Sequence, residues 1–100
     1  MNNLINQVEQ WAFQRGLLDA DPSKQFIKVV EEIGEVASAL ARNEQVALRD
    51  GIGDVIVTLI ILARQSNMTL EECLAFAYQE IKDRTGEMIN GTFVKSEDLK

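Results

Sequence analysis

The stretch from Glu31 to Asp54 decides the fold of this chain. It reads Glu31-Glu32-Ile33-Gly34-Glu35, then a polar break at Arg42-Asn43-Glu44-Gln45, then Asp50-Gly51-Ile52-Gly53-Asp54. Because residues three or four apart share one face of a helix, each cluster places its carboxylates together on one of two consecutive helices. If the helices fold back antiparallel, the two acidic faces can meet. A hard divalent cation with oxygen ligands is the usual means of neutralising such a cluster.

The composition describes one globular domain, predicted to span residues 1–100. The chain has 100 residues, 46% of them hydrophobic, and a net charge of −6. This acidic balance argues against a protein that binds a nucleic acid polymer, since such binding depends on clustered Lys and Arg. The single cysteine, Cys73, forms no intramolecular disulfide, and the N-terminus shows no signal-like region. We therefore expect a cytoplasmic protein that does not enter a membrane.

Histidine is absent from the sequence. Its absence excludes His-dependent catalytic triads and His-ligated zinc. The chemistry then depends on carboxylates, hydroxyls, Lys, Arg or a metal ion, and oxygen ligands favour magnesium, manganese or calcium.

The apolar periodicity predicts an all-α fold of four helices. The first runs from about Asn3 to Arg15, where Gly16 is a plausible stop. The second runs from Pro22 to about Arg42 behind an Asp21 cap, the third from about Gln45 to Arg64, and the fourth from a Thr69 capping box to about Glu87. The second helix has an apolar stripe opposite Glu31 and Glu35, with Glu32 nearer its edge: Phe26, Val29, Val30, Ile33, Val36, Ala37 and Leu40. Residues 88–100 read as a less regular tail, with no strand pair.

The third helix is apolar on nearly every side after Asp54. A helix that is hydrophobic all round is buried all round. In a chain of this size, a second subunit would supply part of the cover. We therefore expect a four-helix bundle that is completed by oligomerisation, as a homodimer or homotetramer.

These motifs resemble the MazG-like all-α nucleoside triphosphate pyrophosphohydrolases. The resemblance rests on Glu31-Glu32-x-x-Glu35 followed by Gly53-Asp54 at the head of an apolar helix, and it extends over roughly Leu4 to Val94. The flanking matches are Gln25-x-x-Lys28, Trp11 followed by Arg15-Gly16-Leu17, and Ala77-Tyr78-x-x-Ile81-Lys82-Asp83-Arg84-x-Gly86.

The resemblance implies a Mg²⁺-dependent hydrolase, with Mn²⁺ as an alternative metal, that converts a (d)NTP to the monophosphate and pyrophosphate. The catalytic set would be Glu31, Glu32, Glu35 and Asp54. The same four carboxylates, together with Asp50, would be the metal ligands. Either Glu31 or Glu32 would act as the general base. The small-molecule substrate would be contacted by Lys28, Lys82, Arg84 and Trp11.

One position departs from the family pattern. The second family motif is Glu-x-x-Asp, and the Glu position is Gly51 here. Asp50 lies one residue earlier, on the same helix face as Asp54 and displaced by ~1.5 Å along the axis. Asp50 could therefore replace the missing Glu, or its shorter side chain could leave a water molecule in between.

Other interpretations stay open at this point. The acidic residues could form a solvated helix face, Lys28 could pair with Glu32, and Trp11 could anchor a core or an interface. The main alternative function is a non-catalytic helical interaction module that docks a basic partner through its acidic patch. Related all-α enzymes act on dUTP or phosphoribosyl-ATP, and no base-reading motif selects among these substrates. House-cleaning of damaged nucleotides and a phage-encoded role in the nucleotide pool would look alike.

Overall fold

The structure is a computed structural model that describes residues 2–99. Four α-helices follow one another: α1 (Asn2–Gln14), α2 (Pro22–Ala41), α3 (Gln45–Gln65) and α4 (Leu70–Ile81). A 3-10 turn (Leu17–Asp19) lies between α1 and α2. After α4 come the strands β1 (Gly86–Ile89) and β2 (Thr92–Lys95) and a last 3-10 turn (Ser96–Asp98). The prediction of a helical fold is confirmed, with one small two-stranded sheet added to it.

Local capping signals position the helices. Asp21 Oδ1 accepts the Ser23 backbone N–H at 2.9 Å, and Thr69 Oγ1 accepts the Glu72 backbone N–H at 3.1 Å. Each bond satisfies one of the free donors of a helix N-terminus. Gly16 follows α1 with a φ of 73°, a conformation that favours glycine. The predicted starts of α2 and α4 and the end of α1 are thereby confirmed.

The helices α2 and α3 form an antiparallel hairpin. Gln25 Nε2, near the start of α2, donates to the Thr58 carbonyl oxygen in the second half of α3 at 3.1 Å. Closer to the turn, Gly51 lies against Val36. Asn43 turns the chain between the two helices with a φ of 55°. The antiparallel arrangement that the acidic clusters required is therefore present.

The buried core lies between α1, α2 and α3. Its members are Ile5, Ala12, Val29, Ala39, Ile60, Ile61 and Ala63. The apolar stripe that we predicted for α2 is only partly buried in the chain, since Phe26, Val30, Ile33 and Leu40 are exposed. On α2, Gln25, Glu32 and Val36 approach residues of α3. Glu32 therefore lies between two other points at which the helices meet.

The helix α3 is buried within the chain mainly toward its C-terminal end. Ile60 and Ile61 are buried, whereas Ile52 and Ile56 are exposed. The single chain therefore leaves part of this helix uncovered, and the second subunit that we expect to cover it stays a prediction. Among residues 2–99, no helix combines the length and the apolar character needed to cross a bilayer.

The end of α4 and the segment after it differ from the prediction. The helix stops at Ile81, six residues before Glu87, and residues 86–95 form an antiparallel hairpin in which Ile89 pairs with Thr92. Asn90 and Gly91 make its two-residue turn with φ values of 52° and 81°. Positive φ at both positions is typical of a type I′ turn, for which Asn-Gly is the preferred dipeptide. The strand pair was missed although this signal is in the sequence.

Candidate metal centre

Three carboxylates converge where α2 faces α3. Glu32 and Glu35 extend from α2 and Asp54 from α3, and one oxygen of each lies within 4.8 Å of the others. Glu32 and Glu35 meet because they are three residues apart on one helix, and Asp54 joins them because the hairpin is antiparallel. The cluster combines three of the carboxylates that the sequence motifs singled out.

Glu32 is the half-buried member of the pair on α2. Its Oε2 atom is buried and has no hydrogen-bond partner among the residues that the structure describes. Burial raises the pKa of Glu32, and Glu35 raises it further through its charge and a side-chain hydrogen bond. The charge of Asp54 acts in the same direction, while Lys28 acts in the opposite one. A buried carboxylate oxygen without a partner is costly, so Glu32 is suited to a ligand that supplies positive charge or a proton.

Asp54 has a similar environment from the other helix. Burial raises its pKa, and the carboxylates of Asp50 and Glu35 act in the same direction. Two members of the cluster therefore bind protons more tightly than an ordinary carboxyl group does. Like charges held together in this way are typical of metal and catalytic sites, although structural networks can produce the same shifts.

The donor set fits a hard divalent cation. All three groups offer carboxylate oxygens, which suit Mg²⁺, Mn²⁺ or Ca²⁺ and not the softer metals. The Glu32 oxygen that lacks a partner would gain one. The repulsion that adds to the effect of burial on the two pKa values would be offset.

Asp50 borders this cluster without being one of its three converging members. It lines one concavity of about 290 Å³ with Glu35 and another of about 990 Å³ with Asp54. Gly51, at the position of the missing family Glu, is buried against α2. The structure therefore places Asp50 beside the carboxylates on both helices, while position 51 offers no ligand.

Glu31 and Lys28 lie on the exposed side of α2. Lys28 Nζ lies 3.8 Å from Glu31 Oε2, and both side chains are exposed. The ion partner of Lys28 is thus Glu31. The spacing of four residues had instead suggested Glu32. Glu31 does not take part in the converging cluster, although it is adjacent to Glu32 in sequence.

The four residues predicted to contact substrate fall into different places. Trp11 lines a concavity of about 460 Å³ that Asp54 also lines. Arg84 lines another concavity, among residues of the α4 end and the hairpin, and Lys82 is exposed at the end of α4. In the single chain, Trp11 is therefore next to the carboxylates, whereas Arg84 belongs to a different surface.

Two further residues near the cluster were missed by the sequence reasoning. Gln7 lines the concavity shared by Trp11 and Asp54, and Arg49 lines the larger one beside Asp50. Gln7 lies one helical turn before Trp11, so the spacing of four residues could have identified it. Arg49 immediately precedes Asp50 and carries no comparable spacing signal.

Comparison with known proteins adds independent information. A family model described as the MazG nucleotide pyrophosphohydrolase domain matches residues 22–88. An uncharacterized 18.2 kDa protein from the rep-hol intergenic region of Haemophilus phage HP1 is 45% identical over 69 residues, which cover 68% of this chain. The match covers 42% of the length of that phage protein. No solved structure matches this chain.

Proposed function

We propose a catalytic function on the premise that this chain belongs to the family of MazG nucleotide pyrophosphohydrolase domains. The reaction would be the Mg²⁺-dependent hydrolysis of a (d)NTP to the monophosphate and pyrophosphate. The enzyme would act in nucleotide metabolism, in the cytoplasm.

The observation that carries the proposal is the environment of Glu32. Its buried Oε2 atom has no hydrogen-bond partner within residues 2–99, and it belongs to a group of carboxylate oxygens within 4.8 Å of one another. A solvated acidic face would not bury an unpaired oxygen, because the desolvation penalty would remain uncompensated. The cluster is therefore better explained as a site for a cation than as a surface patch.

Glu32, Glu35 and Asp54 would hold Mg²⁺, or Mn²⁺ in its place, with Asp50 as a further ligand. When bound, such a cation supplies positive charge beside the phosphate chain and makes a water molecule more acidic. Phosphoryl transfer depends mostly on positioning and charge stabilisation, so a site without histidine is sufficient.

Among the chain's own groups, Glu32 is best suited to accept the proton of the attacking water. Its place in the cluster would let a Glu32 oxygen that the cation does not engage accept that proton. Glu31 is exposed and paired with Lys28, so we assign it an indirect role in orienting that lysine. Lys28 would then contact a phosphate oxygen of the substrate.

The proposed enzyme is a homodimer or homotetramer. Support comes from the large apolar side chains that the single chain leaves exposed on α2, α3 and α4, among them Ile33, Ile56 and Phe76. If Lys82 and Arg84 contact phosphate as the family resemblance implies, a second subunit would have to bring them to the carboxylates.

Gly51 favours a second candidate function. The family's Glu is absent from this position, and the space beside it is filled by Val36. A chain with an impaired site would act as a non-catalytic helical module, docking a basic partner through the same acidic patch.

Pyrophosphate release distinguishes the two functions. The chain is incubated with a panel of canonical and modified (d)NTPs, with Mg²⁺ and with EDTA, beside the Glu35→Ala and Asp54→Ala variants. We expect release that requires the metal and is lost in both variants. Full activity in either variant, or no release from any nucleotide at high protein concentration, would reject the enzyme in favour of the binding module.

A further inference from the structure

The concavity beside Asp54, called the slot below, has the volume and the lining of a small-molecule site. Its volume is about 460 Å³, which lies within the range of small-molecule sites. It is mostly apolar, and α1 and α3 contribute its walls: Leu4, Gln7, Val8, Trp11, Asp54 and Val57. Since Asp54 belongs to the carboxylate cluster as well, a ligand in this slot would lie next to the proposed metal.

Trp11 supplies the aromatic wall of this slot. The guanidinium carbon of Arg15 lies 4.4 Å from the centre of the indole ring, and Arg15 Nη1 donates to the Trp11 carbonyl oxygen at 3.1 Å. Arg15 is not among the residues that line the slot, so its guanidinium does not occupy the space beside the indole there. The indole is thereby held in place with one side available for stacking.

Gln7 is the one uncharged side chain lining the slot that offers both a hydrogen-bond donor and an acceptor, since the Trp11 indole N–H only donates. Its amide offers a donor and an acceptor on adjacent atoms, which is the pattern needed to pair with the edge of a nucleobase. Leu4, Val8 and Val57 can contact a base but cannot distinguish its functional groups.

We propose that Gln7 is the residue that reads the base of the nucleotide, in a slot where the base stacks on Trp11 and the phosphates extend past Asp54. The inference rests on the proposed function, because the carboxylate cluster identifies the ligand as a nucleotide. It deepens that function by assigning base preference to one side chain on α1.

The test uses Trp11 as its own reporter, since it is the single tryptophan of the chain. Quenching of its fluorescence is titrated with the α,β-methylene analogues of ATP, GTP, CTP and UTP in Mg²⁺, because these analogues cannot release pyrophosphate. The variants are Gln7→Leu, which removes both hydrogen-bonding atoms, and Gln7→Glu, which keeps only acceptors. Gln10→Leu is the matched control, because Gln10 lies on the same helix but lines a different concavity with Glu9 and Arg64.

We expect the four analogues to quench the fluorescence with different dissociation constants. In Gln7→Leu, the ratio of the weakest to the tightest constant should fall by about threefold to tenfold, which corresponds to the loss of one or two neutral hydrogen bonds. Gln7→Glu should shift the ranking toward guanine, adenine and cytosine, whose exocyclic amino groups donate, and away from uracil, which has none. Gln10→Leu should keep the ranking of the unaltered chain.

Two results would overturn the inference. One is the absence of quenching by any analogue, as expected if a second copy of the chain covers the slot. The other is an unchanged base ranking in Gln7→Leu. Pyrophosphate release by the unaltered chain, measured in parallel, reports separately on the proposed function. If the enzyme is active and the base ranking of Gln7→Leu is unchanged, the role of Gln7 is rejected while the proposed function stands.

Discussion

Gly51 of α3 packs against Val36 of α2, and a β-carbon built on Gly51 would lie 3.0 Å from Val36 Cγ2. This distance is too short for a comfortable contact between two carbons, so Val36 would have to move by a few tenths of an ångström. The contact brings the two helices together next to Glu35. Glycine at position 51, where the family resemblance implies a Glu, therefore permits close helix packing beside the carboxylates.

The first prediction concerns stability at this contact. Gly51→Ala should lower the free energy of unfolding by up to about 1 kcal/mol, because crowding against a stiff β-branched side chain outweighs the gain in helix propensity. In a Val36→Ala background, the same substitution should instead raise it by about 1 kcal/mol. Urea denaturation of the four chains measures both effects.

Gly53→Ala is the matched control for this comparison. A β-carbon at position 53 would meet nothing within 4 Å, so only the propensity gain of about 1 kcal/mol should remain. If Gly51→Ala stabilised the chain as much as Gly53→Ala does, the packing argument would be wrong.

The second prediction concerns pH in the absence of metal. The native pKa values of Glu32 and Asp54 lie above the ordinary values of 4.5 and 3.8. Between the ordinary and the raised pKa, the native state binds more protons than the unfolded state, so these groups lower stability as the pH rises. Glu32→Gln, which cannot ionise, should therefore gain stability relative to the unaltered chain as the pH rises through this window. Thermal melts in EDTA, from about pH 4 to about pH 8, measure this difference, and a difference that does not change with pH would contradict the prediction.

The third prediction concerns metal binding. Mg²⁺ at ten times its Kd should stabilise the chain by about 1.4 kcal/mol, which corresponds to a rise of several degrees in Tm. Glu35→Gln and Asp54→Asn should abolish this rise, because each removes a ligand from the cluster. Glu97→Gln removes the same unit of charge at an exposed residue in the last 3-10 turn and should keep it. An equal rise in all four proteins would mean that Mg²⁺ acts through net charge alone.

The fourth prediction separates the two adjacent glutamates. Glu32→Gln should weaken Mg²⁺ binding strongly, whereas Glu31→Gln should change it little, because Glu31 is exposed and paired with Lys28 outside the cluster. Isothermal titration of the two variants with Mg²⁺ gives the comparison directly. Equal losses would place Glu31 among the ligands, as the family pattern implied, and would require its side chain to leave Lys28.

Much of the helical framework could be predicted from local signals. The Asp21 and Thr69 caps and the Gly16 stop act within a few residues, and each operates in the structure as the sequence indicated. The hairpin turn at Asn90 and Gly91 is equally local, and the Asn-Gly dipeptide is the sequence signal from which it could have been predicted. Arg49 could not have been identified in this way, since its place beside Asp54 depends on the shape of a groove and not on a spacing motif.

The sequence by itself determined where the helices begin, which carboxylates they carry, and that Glu32 and Glu35 share a helix face with a separation of three residues. Only the tertiary structure decided that Glu32 faces α3 while its neighbour Glu31 faces solvent. The physical reason is that the rotation of a helix about its own axis is set by what packs against it, and the apolar residues of α2 allow more than one such rotation. The close contact of Val36 with Gly51 selects one of them, and with it the side of α2 from which Glu32 meets Asp54.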